Sequence, residues 1–336
     1  MGCFRKGLVV LLLTFAYASL AAQRRAYTIV DLGGLSNTKF AHVTHINDSG
    51  QVTGVSANHA FLWENGVMID LGTLGGDFSL ANGINDLGQI VGESKTLGGE
   101  THAFLWDRGT MSDLGTLGET SSAHGINDQG EIVGAISSKN VRGSAVLWRN
   151  RQRLSLTDLG PTGSGSTALA INANGDITGI SSGFASSSGG VVRAVVWQGG
   201  TIRDIGTLGG MHSTASALND LGDVVGWAET ANHSSDAFLW HGGIMRNLKS
   251  LAGSVESQSF AVNRLVQVVG SSSNSKGESR AVIWENGKST DLNDLVTAPA
   301  GLVLTRARGI NNGGQILVEV QVRTDGTTRS FLITPH

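Results

Sequence analysis

Cysteine is all but missing from this chain. The one copy, Cys3, sits at the extreme N-terminus, so no disulfide can staple the folded part, and stability must come from packing. Proline is equally scarce, with 3 in 336 residues, which argues against a disordered Pro-rich chain. Charged residues make up only 15%, so the surface must lean on Ser, Thr, Asn and Gln. No window holds a 3.6-residue apolar period, so almost no helix is expected. No His-Glu-x-x-His, close His/Cys set, Gly-x-Ser-x-Gly elbow or phosphate loop is evident, so no metal, cofactor or nucleophile motif is read.

What is present begins with a secretory signal over residues 1–22. Arg5 and Lys6 form its basic end, Leu8 to Tyr17 its short apolar run, and Ser19 to Ala22 supply small residues for cleavage. The run is too short to span a bilayer comfortably. Without Arg5 and Lys6, 22 of the 24 basic residues remain against 27 acidic ones, a net of about −5. That balance opposes nucleic acid or anionic membrane as a partner. The mature chain is expected to be a secreted or periplasmic monomer with no membrane span.

Glycine is plentiful, with 48 copies, and much of it belongs to a repeat. An apolar residue and an Asn recur seven times, at Ile46-Asn47, Ile84-Asn85, Ile126-Asn127, Ile171-Asn172, Leu218-Asn219, Val262-Asn263 and Ile310-Asn311. The spacing is 38 to 48 residues, and such a period signals stacked equivalent units. Each unit has four short segments rich in β-branched or aromatic residues. They are Ser-x-Ala-x-Gly-Ile-Asn (Ser79 to Asn85), Gly-Gln-Ile-Val-Gly (Gly88 to Gly92), Ala-Phe-Leu-Trp (Ala103 to Trp106) and x-x-Asp-Leu-Gly (ending Asp113-Leu114). All four read as strands.

First-to-second and third-to-fourth links are short and carry Asn or Gly, as hairpin turns require. Second-to-third links vary, up to a Ser/Gly stretch from Ser181 to Gly190. Four antiparallel strands per unit match a propeller blade. Small residues in the first strand (Ala81, Gly83) suit the crowded axis, and large ones in the third suit the outside. The chain starts with a lone fourth-type strand, Tyr27 to Leu32, and ends after a third-type strand, Phe331 to Ile333. Pairing those ends would close the ring and remove an edge. The expected fold is therefore an all-β, seven-bladed β-propeller spanning 23–336 as one domain. Val266, Asn247-Leu248-Lys249 and Val318 break the pattern late in the chain, so irregular turns are expected in blades six and seven.

His-Ala-Phe-Leu-Trp (His59 to Trp63, His102 to Trp106), Asp-Leu-Gly-Thr-Leu-Gly-Gly (Asp70 to Gly76) and Gly-Ile-Asn-Asp-x-Gly-Gln-Ile-Val-Gly (Gly83 to Gly92) together resemble the HAF repeat family. That group of bacterial proteins, regarded as extracellular, is named for the His-Ala-Phe run. The resemblance covers essentially the whole mature chain. It implies secretion and repeat architecture and leaves function open. Only blades one and two keep the His; Ser144, Arg193, Asp236, Arg280 and Arg329 stand in its place elsewhere.

Most polar repeats read as structural. The Asn-Asp-x-Gly turns offer too few oxygens for calcium and read as Asx-type turns. The Asp of Asp-Leu-Gly (Asp31, Asp70, Asp113, Asp158, Asp204, Asp291) reads as a strand-end acceptor, since a catalytic acid is placed once rather than around a ring. Glu131, Asp176 and Asp223 read as solvated residues beside the hairpin, because blades stand too far apart for one metal. His59 and His102 read as packing or hydrogen-bonding residues.

Function is better sought where the repeat stops repeating. Both variable links of each blade fall on one face, where binding residues tend to ride. There the column three residues before each anchor Asn changes freely: Thr44, Asn82, His124, Leu169, Ser216, Phe260, Arg308. His45 also departs from Gly or Ala. Trp227 lies outside the third-strand register, in a second-to-third link with Glu229 and His233 nearby; it either stacks on a ligand or caps its own blade. The leading expectation is a non-catalytic module binding a glycan or protein through His45, Asn82, His124, Ser216, Arg308, Trp227, Glu229 and His233. The alternatives are an extracellular polysaccharide hydrolase or lyase, needing two of the lone acids Asp77, Glu93, Glu119 and Glu229 close together, and a passive envelope protein.

Overall fold

The computed structural model describes residues 27–38, 40–116, 120–138, 141–150, 152–159, 165–186, 189–322 and 327–336. The signal segment 1–22 lies outside them. Among the described residues the structure is all-β, relieved only by two 3-10 turns at Leu35–Asn37 and Leu292–Asp294. Seven four-stranded antiparallel sheets form a ring, and each inner strand touches the inner strand of the next. The fold is a seven-bladed β-propeller.

Blades one to six use their strands in sequence order. In blade two these are Gly75–Ile84, Ile90–Thr96, Thr101–Asp107 and Thr110–Asp113. Blade seven consists of Leu302–Ile310, Ile316–Val322 and Thr328–Pro335, completed by the N-terminal strand Tyr27–Asp31. That strand pairs from Tyr27 opposite Pro335 to Asp31 opposite Phe331, so the last sheet has no open outer position.

The core lies between blades, in seven separate apolar clusters. Phe61, Phe104 and Phe238 of the third strands are fully buried. The glycine that ends the second-strand motif is a close-approach residue. A Cβ on Gly92 would run into the Leu80 carbonyl of the neighbouring first strand and into the Phe104 ring. The same holds for Gly54, Gly134, Gly179, Gly226 and Gly270 against their own first strands. In blade seven Val318 takes that place, and the first strand opposite it carries an extra register shift between Leu304 and Arg306.

Several boundaries differ from the sequence reading. The Ser181 to Gly190 stretch is mostly strand: Ile177–Ser186 and Gly189–Gln198 pair up to Ser186 opposite Gly189. Main-chain hydrogen bonds do not need apolar side chains, so a polar hairpin extends where composition suggested a loop. In blade three the fourth strand is Gln152–Ser155, and Ser155 faces Val146 as Asp204 faces Val195 in blade four. Asp158 therefore lies past the strand end, displaced by three residues. The turn at Val266 stays regular: its N–H donates to the Asn263 carbonyl at 3.1 Å, like the glycines elsewhere, with φ at 58°. Asn247 also stands in for Asp, its Oδ1 accepting the Lys249 N–H at 2.6 Å.

Candidate functional site: the two ends of the central channel

At one end of the channel the repeat is kept. Each anchor Asn is buried, and its Oδ1 accepts the N–H four residues on, as at Gln51 (2.9 Å). This is the local job expected of it. Its amide does something further. Asn47 Nδ2 donates to the Asn85 carbonyl of the next blade at 3.0 Å, Asn85 does the same to Asn127, and the series runs round until Asn311 donates to Asn47 at 3.1 Å. The seven amides thus form a closed inter-blade ring, buried and fully satisfied, the condition under which a polar network rigidifies a core.

The same amides also donate to Gln51, Gln89, Glu131, Asp176, Asp223, Gln267 and Gln315. Glu131 and Asp223 are therefore not free solvated side chains, and Asp223 is fully buried, whereas Asp176 stays part-exposed with its Asn172 contact at 3.5 Å. Their partners on the third strand follow the charge. Glu131 pairs with Arg149 and Asp223 with His241, each at 2.5 Å, whereas Gln51 and Gln267 donate to Glu64 and Glu285. This complementarity was readable in the sequence as a paired change between two columns.

Beyond the Asn ring, Asp48, Asp86, Asp128 and Asp220 surround a cavity of about 190 Å³ with Arg264. Neighbours are linked by backbone N–H groups, as from Asp48 to the Asp86 carboxylate at 2.8 Å, and Arg264 pairs with Asp220 at 2.9 Å. Burial, reinforced by the Asp48 and Asp128 charges, holds the Asp86 carboxyl above its ordinary range.

At the other end the first strand of every blade carries a β-bulge. Register shifts fall between Val43 and His45, Ala81 and Gly83, Ala123 and Gly125, and Ala168 and Ala170. They recur between Ala215 and Ala217, Ser259 and Ala261, and Ala307 and Gly309. The residue skipped each time is the freely varying one: Thr44, Asn82, His124 and Leu169, then Ser216, Phe260 and Arg308. A bulged residue leaves the ladder and is re-aimed. All seven line one cavity of about 340 Å³, together with His42 and His45. The anchor residues Ile46, Ile84, Ile126, Ile171, Leu218, Val262 and Ile310 border both cavities and so form an aliphatic collar between them.

Inside this chamber Asn82 Nδ2 donates to the Ala123 carbonyl at 2.9 Å, and the Thr44 hydroxyl donates to the Ala81 carbonyl at 2.8 Å. Ser122 and His124 Nε2 are 3.1 Å apart. Arg308 lies over the Phe260 ring, 5.1 Å from its centre, and its Nε donates to buried Glu319 at 2.9 Å. His42 approaches the same carboxylate at 3.6 Å and Arg306 at 3.7 Å. His45 is exposed to the channel and borders both cavities; the surrounding channel wall displaces bulk water and lowers its pKa, and the same cause brings His124 down to about 4. For His42, burial and the two arginines lower the pKa against the raising effect of Glu319.

Five of the expected binding residues thus meet in one chamber: His45, Asn82, His124, Ser216 and Arg308. Three do not. Trp227 and Glu229 belong to the second strand Val224–Thr230 rather than to a link, with Trp227 paired between Thr214 and Ala237. Neither borders the chamber. Glu229 is already engaged: it accepts the N–H groups of Met211 and His212 at 2.7 and 3.2 Å and contacts His233 Nδ1 at 2.6 Å. The His233 contact, with the Met211 N–H, brings the Glu229 pKa down to about 2. His42 and Glu319 were missed; the column of Glu319 also holds Glu93 in blade two and Trp227 in blade five, so it carried no distinct signal.

The lone acids considered for hydrolysis are spread out. Asp77 pairs with Lys95 at 3.2 Å, Glu229 is engaged as above, and Glu119 lies outside the described residues. Glu93 is half-buried, and burial raises its pKa. Apart from Asp158, which lies beyond its strand end, the Asp-Leu-Gly aspartates are strand-end acceptors, as at Asp70 Oδ1 from Gly72 N–H (2.8 Å). They also explain the His of His-Ala-Phe: His59 meets Asp70 and His102 meets Asp113, each at 2.8 Å. Arg193, Arg280 and Arg329 pair with Asp204, Asp291 and Asp31 in later blades. Among the described residues no group of three or more His, Cys, Asp or Glu is placed to hold a metal ion.

No protein-family model and no curated protein matches this chain. Solved structures do. The β-propeller domain of the Trilobed protease from Pyrococcus furiosus, which has an open velcro topology, matches with a TM-score of 0.56 at 9% identity, over 87% of this chain and 98% of that one. The extracellular domain of the putative one component system BT4673 from B. thetaiotaomicron matches with a TM-score of 0.55 at 9% identity, over 92% of this chain and 40% of that one. TolB from Acinetobacter baumannii matches with a TM-score of 0.43 at 14% identity, over 88% of this chain and 63% of that one. This chain thus spans less than two thirds of the last two. At such identities the likeness is one of fold: a β-propeller scaffold.

Proposed function

We propose that this protein is a secreted HAF-repeat propeller that works as a non-catalytic binding module. Its ligand, a glycan or a protein, enters the 340 Å³ chamber from the variable-loop face. One observation carries the reading: the seven positions where the repeat diverges are the seven bulged residues, and all of them border that chamber. A scaffold that keeps its anchors and the small residues beside them while the column facing one cavity varies separates support from recognition. The residues assigned to the ligand are His45, Asn82, His124, Ser216 and Arg308. Secretion is supported by the signal-like segment 1–22, and the extracellular setting of one structural neighbour agrees with it.

The test is a glycan-array and pull-down screen of the mature chain, repeated with Arg308→Ala and with Ser216→Trp, which fills the chamber. Loss of the captured ligand in both variants is expected. Binding that survives both would remove the chamber as the site.

A further inference from the structure

We propose that the chamber takes an uncharged sugar residue; this deepens the binding reading above and rests on it. The first argument is charge. No Asp or Glu borders the chamber, so nothing there neutralises a cationic ligand. The one permanent cation on the lining, Arg308, donates to Glu319 at 2.9 Å and covers Phe260, so much of its charge is offset, although Arg306 shares that carboxylate at 3.7 Å. At neutral pH His124 is uncharged, because burial brings its pKa down to about 4, and the channel wall lowers the pKa of His45 as well. An anionic group entering here would lose its hydration without gaining a free counter-charge.

The second argument is unspent hydrogen-bonding capacity. Nearly every repeated polar group of this scaffold is partnered, yet His45 and the Ser216 hydroxyl make no hydrogen bond among the described residues. Asn82 spends its amide N–H on Ala123 and keeps its carbonyl oxygen. Neutral imidazoles and a hydroxyl both donate and accept, which suits a ligand whose own hydroxyls do the same. The third argument is the apolar remainder. Phe260 and Leu169 border the chamber opposite a floor of aliphatic anchors, as the C–H face of a pyranose requires. The volume, about 340 Å³, falls at the lower end of the range for small-ligand pockets, roughly 300–1,000 Å³.

The experiment is saturation-transfer NMR on the mature protein with three sets of probes. The first is glucose, galactose and N-acetylglucosamine; the second is glucuronate, galacturonate and glucosamine; the third is a neutral Gly-Ser tetrapeptide. At least one neutral sugar is expected to bind, with its charged analogue at least about fivefold weaker. Binding should vanish in Ser216→Trp and weaken about tenfold, the equivalent of one good contact, in Phe260→Ala and His45→Ala. His45→Ala removes a side chain with no bond to the protein, so it keeps the fold even if the bulkier change does not. Tighter binding of a charged sugar, lost in Ser216→Trp, would overturn the neutral class while leaving the chamber as the site. Neutral-sugar binding unchanged in all three variants would place it outside the chamber and overturn both. Binding of the tetrapeptide alone, or of nothing, would overturn the sugar assignment and leave the broader reading to its own screen.

Discussion

The two ends of the channel are built from the same strands and follow opposite rules. At the tight-turn end seven asparagines repeat and are locked to one another by a closed ring of hydrogen bonds. Three residues earlier on the same strands, past the collar, seven bulged positions hold seven different side chains. The difference is what each residue is bonded to. An anchor Asn bridges two blades, so a change breaks contacts in both. A bulged residue has left the ladder and borders a cavity; Thr44 and Asn82 reach the next blade from there, but Leu169, Ser216 and Phe260 hold the same place without such a bond, so the position is free to vary. Repetition in this protein marks support, and its interruption marks the place available for recognition.

The largest expected effect tests that division. Asn219→Ala removes four hydrogen bonds around a buried position, two accepted and two donated. It should cost about 3 kcal/mol in chemical denaturation. Ser216→Ala, three residues away, should stay within about 0.5 kcal/mol. Equal losses would break the comparison. Next comes the glycine that lets the bulged strand approach. Gly226→Ala puts a Cβ against the Thr214 carbonyl and should cost about 2 kcal/mol.

A third expectation concerns pH. His124 is held to about 4 in the folded chain against about 6.5 unfolded. Between those values the unfolded chain binds the extra proton, so stability is full above pH 6.5 and falls as pH drops towards 4. Denaturation curves across that window should flatten in His124→Gln; an unchanged slope would show that the imidazole does not feel the chamber. Fourth, the double change Asp223→Gln with His241→Glu recreates the pairing of Gln51 with Glu64. It should recover about 1 kcal/mol of what the single changes lose in a double-mutant cycle. The smallest effect is Val266→Gly, which relieves a β-branched residue at φ 58° and should add at most about 1 kcal/mol.

Much of this was legible in the sequence. The anchor spacing announced seven units, the four segments announced strands, and the spare strand at Tyr27 announced the closure seen opposite Pro335. Each is a local pattern or a matching of chain ends. The varying column was also visible, as the positions that refuse to repeat. The bulges that aim it inward were not, because a bulge is a mismatch between two strands and no single strand announces it. Trp227 was assigned to a loop because the hairpin beyond it runs longer than its apolar residues. Asp158 was counted with the repeated aspartates because its motif is intact; only the pairing of Ser155 with Val146 places it beyond the strand.

The sequence alone therefore determined the number of blades, their strand order, the turns and how the ring closes, since all follow from periodicity and turn chemistry read along the chain. Only the tertiary structure decided that each anchor Asn bonds the next blade, that Asp223 is buried against His241, and that seven scattered residues share one chamber. Those facts depend on partners about 40 residues away or on strand register, and the ring brings them together only when it closes.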